Sequence, residues 1–208
     1  MVEIGKDITL ANGKGYSPEN LDLDVLMNAK NIMRGYRFTG VPPQDNFSLQ
    51  DHSMECYTIG ARWWDYKEEK GNNDILQVFP KSFIEKWGRG GKQLAKSYFC
   101  QQCLIHDWNE LVTGDLVPTF KTEIFREKEE IVQKEIKRFL GFEDRPDPKN
   151  ILKNNVKIVD ITSSMWEVKK LMTRYPAVGR IYEVRKELLG KYIPYVKISP
   201  FLEQIGVI

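Results

Sequence analysis

The segment TFKTEIFREKEEIVQKEIKRFL, residues 119–140, decides the fold class. Its apolar residues Ile124, Phe125, Ile131, Val132, Ile136, Phe139 and Leu140 recur at helical intervals, with Glu, Lys and Arg between them. A period of 3.6 puts those side chains on one stripe of an α-helix, whereas a half-buried strand would alternate at every second residue. Gly141 and the Pro146/Pro148 stretch end it. Working outward, the same period returns. Upstream, Ser17-Pro18-Glu19 starts a helix whose Leu21, Val25, Leu26, Ala29, Ile32 and Met33 share a face. A second helix is expected from about Ser48 to Asp65, and a third, buried one over Lys92 to Val112, ending at Gly114. Downstream, helices are expected over Asn155 to Arg174 and Pro176 to Lys191, with a short one at the C-terminus. Only Asp7 to Leu10 alternates like a strand, so the expected class is all-α.

No repeat or linker divides the chain, and residues 1–208 are read as a single domain. Residues 65–91 are polar and glycine-rich and read as an inserted, irregular region with one short helix after Pro80; residues 1–16 read as an N-terminal extension. Hydrophobic residues make up 41% and charged residues 29%, a globular rather than a disordered composition. The longest apolar runs are short, so no membrane span is expected, and Met1-Val2-Glu3-Ile4-Gly5-Lys6-Asp7 lacks the apolar core of a secretory signal. Three cysteines read as reduced thiols of a cytoplasmic protein. The formal charge of +2 is spread through interleaved acids and bases. A nucleic-acid polymer calls for a concentrated basic stripe, whereas a small anion needs only one or two placed cations.

The chain has only two histidines, His52 and His106, each in an apolar helical setting. Asp107 follows His106 at once, and an ionised carboxylate buried there is costly unless a cation compensates it. Asp160, in Val156-Lys157-Ile158-Val159-Asp160-Ile161, repeats the oddity. Two neutral imidazoles and two carboxylates form a mixed N/O set suited to Mn, Co, Zn, Fe or Ni, with Mg as a further candidate. On a continuous helix Glu110 lies four residues after His106 and three after Asp107, on the same face, where a carboxylate can meet the hydrolytic water.

The run His106-Asp107-Trp108-Asn109-Glu110-Leu111-Val112-Thr113-Gly114-Asp115-Leu116, with Pro118 and Lys121 after it, resembles the motif of the bacterial HD-domain 5'-deoxynucleotidases. That family shows His-Asp, Glu three residues on, then Thr-Gly-Asp-Leu and a turn ending in Lys. Arg37-Phe38 stands where the family carries an Arg-Trp pair, and Asp51-His52-Ser53 resembles its Glu-His-Ser. Asp160 falls where its last ligand is expected, and the likeness runs from about Met27 to Phe201.

The resemblance implies a single HD-type helical bundle with His52, His106, Asp107 and Asp160 on a divalent metal. It implies that Glu110 acts on the hydrolytic water or the leaving group, that Arg37 pairs with the phosphate, that Phe38 packs on the sugar, and that Asp115 bonds the nucleotide. Lys121 is a second phosphate contact. The activity implied is removal of phosphate from 2'-deoxyribonucleoside 5'-monophosphates. A deoxynucleoside triphosphate triphosphohydrolase using the same ligands is the alternative, and would need further cations such as Lys81, Lys86, Arg89 and Lys92. A non-catalytic helical nucleotide-binding module is the alternative of another class. The expected partner is a small nucleotide, with no nucleic-acid polymer and no membrane, and the expected assembly is a homo-oligomer, dimer or higher.

Three features are set aside. Cys100-Gln-Gln-Cys103 has zinc-like spacing but no second pair, and reads as core. Gly88-Arg89-Gly90-Gly91 reads as a flexible turn. Trp63, Trp64, Trp87 and Trp166 read as core or interface aromatics, and for Trp108, inside the motif, a place near the base pocket is the lesser alternative.

Overall fold

The computed structural model describes residues 8–9, 15–16, 37, 41–110, 122–142, 145–147 and 149–208, with the backbone alone at 8, 9, 15, 16, 43 and 87. The helix expected after Ser17 and the site positions Phe38, Asp115 and Lys121 lie outside the described residues. The fold is all-α. Its helices are α1 (Leu49–Glu69), α2 (Lys81–Ile105), α3 (Glu123–Phe139), α4 (Ile151–Met172), α5 (Gly179–Gly190) and α6 (Tyr195–Gln204), joined in places by single 3₁₀ turns. A two-residue antiparallel pairing, β1 (Ile8–Thr9) with β2 (Gly15–Tyr16), falls where the sequence alternates.

Three of the helices begin where a side chain accepts from their orphan amides. At α1, Ser48 Oγ accepts from the Asp51 amide (3.1 Å) and Asp51 Oδ2 accepts from the Ser48 amide (2.9 Å), a reciprocal capping box. Asp51 is therefore a capping group on the surface. At α3, Thr122 Oγ1 accepts from the Phe125 amide. At α4, Asp147 accepts from the amides of Ile151 (2.6 Å) and Lys153 (3.0 Å), and the helix starts four residues before the Asn155 expected.

α4 is the spine. Among the described helices it packs against α1, α2 and α5, and Ile158, Val159, Ile161, Met165 and Val168 are buried along it. A helix apolar on nearly every side belongs in the centre of a fold. Trp63, Trp64, Phe99 and Phe201 fill the space around it, together with Cys100 and Cys103.

Residues 65–91 are not irregular. α1 continues to Glu69, a 3₁₀ turn covers Asp74–Val78, and α2 begins at Lys81. The polar residues that suggested a loop are paired internally. Lys67 Nζ binds Asp74 Oδ1 (2.5 Å) and Asn155 Oδ1 (3.2 Å), and Trp63 Nε1 donates to Asn155 Oδ1 (2.8 Å). Ile75, Val78 and Phe79 then drop into the core beneath that network. Gly88 sits at a kink inside α2 with φ 51°, a left-handed backbone that glycine adopts without a Cβ penalty.

The inward face of α3 also differs from expectation. Among its residues Glu129, Val132 and Ile136 are buried, whereas Ile124, Ile131, Phe139 and Leu140 are exposed. Gln133 sets the rotation: its Oε1 accepts from the Asn109 amide (3.1 Å) and its Nε2 donates to the Ile105 carbonyl (2.7 Å). No helix of the described residues is long and apolar enough to cross a membrane.

α1 and α2 meet closely at Gly60, where an added Cβ would lie 3.0 Å from Cys103 Sγ. Gly60→Val is expected to destabilise the fold by about 1–3 kcal/mol through overpacking, measured by urea unfolding. Cys103→Ala should recover part of that loss in a double-mutant cycle. Additivity of the two changes within about 0.5 kcal/mol would show that the contact does not set the helix spacing.

Candidate metal centre

The site is assembled from three segments. His52 projects from the first turns of α1, His106 and Asp107 stand at the end of α2, and Asp160 lies midway along α4. α2 stops at Ile105, with His106 as its C-cap. Residues 106–109 form a tight turn, in which the Trp108 amide bonds to the Ile105 carbonyl and the Glu110 amide to the Asp107 carbonyl. This corrects the expected unbroken helix, which stops at Ile105; Leu111 and Val112 lie outside the described residues. His106 and Asp107 are therefore carried by a turn with i→i+3 bonds rather than by a helix face shared with Glu110. Glu110 is buried, 7% exposed, at the close of that turn.

One donor atom from each of His52, His106, Asp107 and Asp160 lies within 4.8 Å of all the others. Asp160 Oδ1 is 3.2 Å from His52 Nε2 and 3.5 Å from His106 Nε2. Asp107 Oδ2 is 3.1 Å from His106 Nε2 and 3.8 Å from His52 Nε2. A central ion with bonds of about 2.1 Å separates its ligands by about 3.0 Å at right angles and about 4.2 Å across the ion. These four separations fall within those limits and the other two pairs lie within 4.8 Å, so the four residues stand near enough together to share one divalent ion.

Hydrogen bonds behind the rings fix which nitrogens face inward. His106 Nδ1–H donates to the Cys103 carbonyl at 2.8 Å, and its buried Nε2 has no hydrogen-bond partner. His52 Nδ1 is 3.0 Å from Glu167 Oε1 and 3.3 Å from Ser163 Oγ. In both rings the Nε2 lone pair is left for the centre, the tautomer a metal ligand needs. Glu167 is fully buried and also pairs with Arg37 Nε at 3.3 Å. The Arg37 guanidinium reaches Ser164 Oγ as well (3.4 Å), so it stands behind His52, joined to Glu167. Lys157 holds the outer oxygen of Asp160 at 2.5 Å, leaving Oδ1 to the imidazoles.

Glu167, Lys157, Gln133 and Cys56 were not singled out from the sequence. Glu167 had a signal: it is an acid two helical turns after Asp160 and so on the same face, with Met165, Trp166 and Val168 beside it. Cys56 follows His52 by one turn, and its Sγ lies 3.5 Å from His52 Nε2. The further cations named for a triphosphate, Lys81, Lys86, Arg89 and Lys92, are all exposed, and Lys92 pairs with Glu68. Other cations lie nearer. A cavity of about 450 Å³ has His106 in its wall, with Tyr98, Lys134, Lys137, Arg145 and Lys153 around it. Arg145 stacks over Phe79 and Tyr98, about 5 Å from each ring centroid.

No protein-family model, curated protein or solved structure matches this chain. The centre is therefore argued from its own geometry.

Without metal, protons take its place. Burial works against a charged His106, but Asp107 and Asp160 outweigh it and hold the imidazole well above its ordinary range. Burial likewise opposes His52, where Cys56 first, then Glu167 and Asp160, prevail over it and over Arg37. Burial would raise Asp107, yet His106 brings it down to about 2; Asp160 is held well below the carboxylate range by both imidazoles and Lys157. The raised imidazoles stabilise the fold fully below their unfolded value of about 6.5, and that stability is lost as pH rises through their folded values. The depressed carboxylates contribute above about pH 4, and lose it as pH falls towards 2.

Two outcomes follow for protein stripped by chelator. Its melting temperature should fall between pH 6 and pH 8.5, while the rise produced by saturating Zn²⁺ or Mn²⁺ should grow over the same interval, because the metal displaces the imidazole protons. A metal-induced rise that does not change with pH would contradict the ligand assignment. Glu167→Gln should weaken Zn²⁺ binding by about 10- to 100-fold in a chelator competition, as loss of a carboxylate behind a ligating histidine does. Unchanged affinity would reduce Glu167 to a packing role.

Proposed function

We propose that this protein is a metal-dependent phosphohydrolase of the HD-domain type that removes phosphate from 2'-deoxyribonucleoside 5'-monophosphates. The observation that carries the reading is the convergence of the chain's only two histidines with Asp107 and Asp160, donor atoms within 4.8 Å, at a buried place. Two neutral imidazoles and two carboxylates balance a divalent ion, so the inner set attracts no further anion by net charge. Attraction comes from outside it. Lys157 is paired with Asp160 and Arg37 with Glu167, and the cavity beyond His106 is lined by more lysines and arginine than acids. Such surroundings favour a small phosphorylated molecule.

A bound divalent ion such as Mn²⁺, Co²⁺ or Zn²⁺ would supply Lewis-acid polarisation and an activated water. The chain's own residues do the rest. His52 and His106 present fixed Nε2 lone pairs, Asp160 is oriented by Lys157, and Glu110, in the turn that carries Asp107, moves the proton between water and leaving group. Arg37 reaches phosphate if its guanidinium spans from Glu167, a charge-assisted contact. Phe38, Asp115 and Lys121 complete the nucleotide pocket in this reading, by resemblance alone. A deoxynucleoside triphosphate triphosphohydrolase is a second reading, favoured by one observation: Lys134, Lys137, Arg145 and Lys153 line the cavity next to His106.

The test is direct. Purified protein loaded with Mn²⁺, Co²⁺ or Zn²⁺ is incubated with each deoxynucleoside mono- and triphosphate, and products are separated by chromatography. Deoxynucleoside and inorganic phosphate are expected from monophosphates. Inorganic triphosphate from a dNTP, with monophosphates untouched, would favour the second reading, and stoichiometric metal without hydrolysis would sink both. Asp107→Ala and Asp160→Ala should each lose Mn²⁺ and activity together while keeping the helical circular dichroism. Glu110→Gln should keep the metal and lower kcat by about two to four powers of ten.

A further inference from the structure

The two imidazoles belong to a second donor set. Among the described residues, His52, Cys56 and His106 also offer donor atoms that all lie within 4.8 Å of one another. Cys56 is wholly buried on α1, one turn beyond His52, and its Sγ is 3.5 Å from His52 Nε2 but 4.0 Å from Nδ1. The sulfur therefore sits towards the nitrogen that faces the centre. For a tetrahedral ion with a nitrogen bond of about 2.0–2.1 Å and a sulfur bond of about 2.3 Å, nitrogen and sulfur stand about 3.5 Å apart. The observed separation equals that value. His106 Nε2 is buried and directed at the same space, with Asp107 Oδ2 at 3.1 Å and Asp160 Oδ1 at 3.5 Å as its neighbours there.

We propose that Cys56 is a thiolate ligand of the centre, joining His52 and His106 to hold a thiophilic divalent ion such as Zn²⁺ or its spectroscopic substitute Co²⁺. The proposal rests on the metal-centre reading above and goes beyond its four-residue set. On binding, the S–H bond of Cys56 breaks, the metal–sulfur bond forms, and the proton leaves to solvent. The shared histidines then serve two chemistries. Asp107 and Asp160 offer hard oxygen to Mn²⁺ or Mg²⁺, while Cys56 offers soft sulfur to Zn²⁺ or Co²⁺. Which ion is retained is decided by a residue the oxygen-ligand reading leaves as core packing. Cys103 and Cys100, also buried, belong to neither donor set.

Cobalt reports the thiolate by spectrum rather than by activity. Full-length protein stripped of metal and titrated with Co²⁺ should show a near-ultraviolet thiolate-to-cobalt charge-transfer band that saturates at one ion per chain. Cys56→Ser and Cys56→Ala should lose that band, and should weaken Zn²⁺ by about tenfold or more while leaving Mn²⁺ binding unchanged. Cys100→Ser and Cys103→Ser should keep it. Since the chain has only three cysteines, a band that survives in both of these assigns it to Cys56 even where the Cys56 variants fail to fold. Stoichiometric Co²⁺ with no charge-transfer band overturns the proposal and leaves the four-residue centre standing. Absence of any Co²⁺, Zn²⁺ or Mn²⁺ binding overturns the centre itself, and the thiolate with it.

Discussion

Everything near the centre follows from two carboxylates on the spine of the fold. Asp160 and Glu167 lie two turns apart on α4 and are buried, Glu167 completely. An uncompensated charge in such a place costs several kcal/mol, and removing one partner of a buried pair costs about 3–5 kcal/mol. The fold answers with cations on both sides. Glu167 is met by Arg37 and by Nδ1 of His52, and Asp160 by Lys157 and by Nε2 of both imidazoles. α1 must then approach α4 where His52 points, and the end of α2 must arrive where His106 can reach across.

The rest of the packing holds those arrivals to small tolerances. Gly60 lets α1 and α2 close together over Cys103. Trp63, Lys67, Asp74 and Asn155 share one polar network, buried except at Asp74, that locks α1, the 3₁₀ turn and α4 in register. Gln133 fastens α3 to both ends of the turn that carries His106 and Asp107. A satisfied buried network specifies one arrangement more sharply than apolar contact, which tolerates sliding. A metal centre needs that sharpness, because its ligands must be held to within a fraction of an ångström.

The charges fall into layers. Two imidazoles and two carboxylates form the inner layer, a set that a divalent ion would balance. Lys157, Arg37 and Glu167 form the next, orienting the ligands from behind. Beyond His106 the cavity turns basic, with Asp147 committed to capping α4 and Arg145 stacked on aromatic rings. The chain's net charge of +2 gave no hint of this arrangement, because the acids and bases that make it are far apart in sequence.

What the sequence determined alone was what depends on near neighbours. Helical periodicity made the all-α class legible, Ser48 and Asp51 marked the start of α1, and acids set in apolar runs beside the only two histidines pointed to His106, Asp107 and Asp160. Residues 65–91 misled because Lys67 and Asp74 look solvated in a linear reading and are paired in the fold. α3 misled because its apolar residues outnumber those one face can bury, and Gln133 chooses the face. His106 was placed inside a helix that in fact ends one residue before it. Glu167 went unnoticed although it lies on the face of Asp160. Only the tertiary structure decided these, for one physical reason: the partner that makes a buried polar group affordable sits elsewhere in the chain. His52 and Glu167 are 115 positions apart, and no local pattern records such a pair.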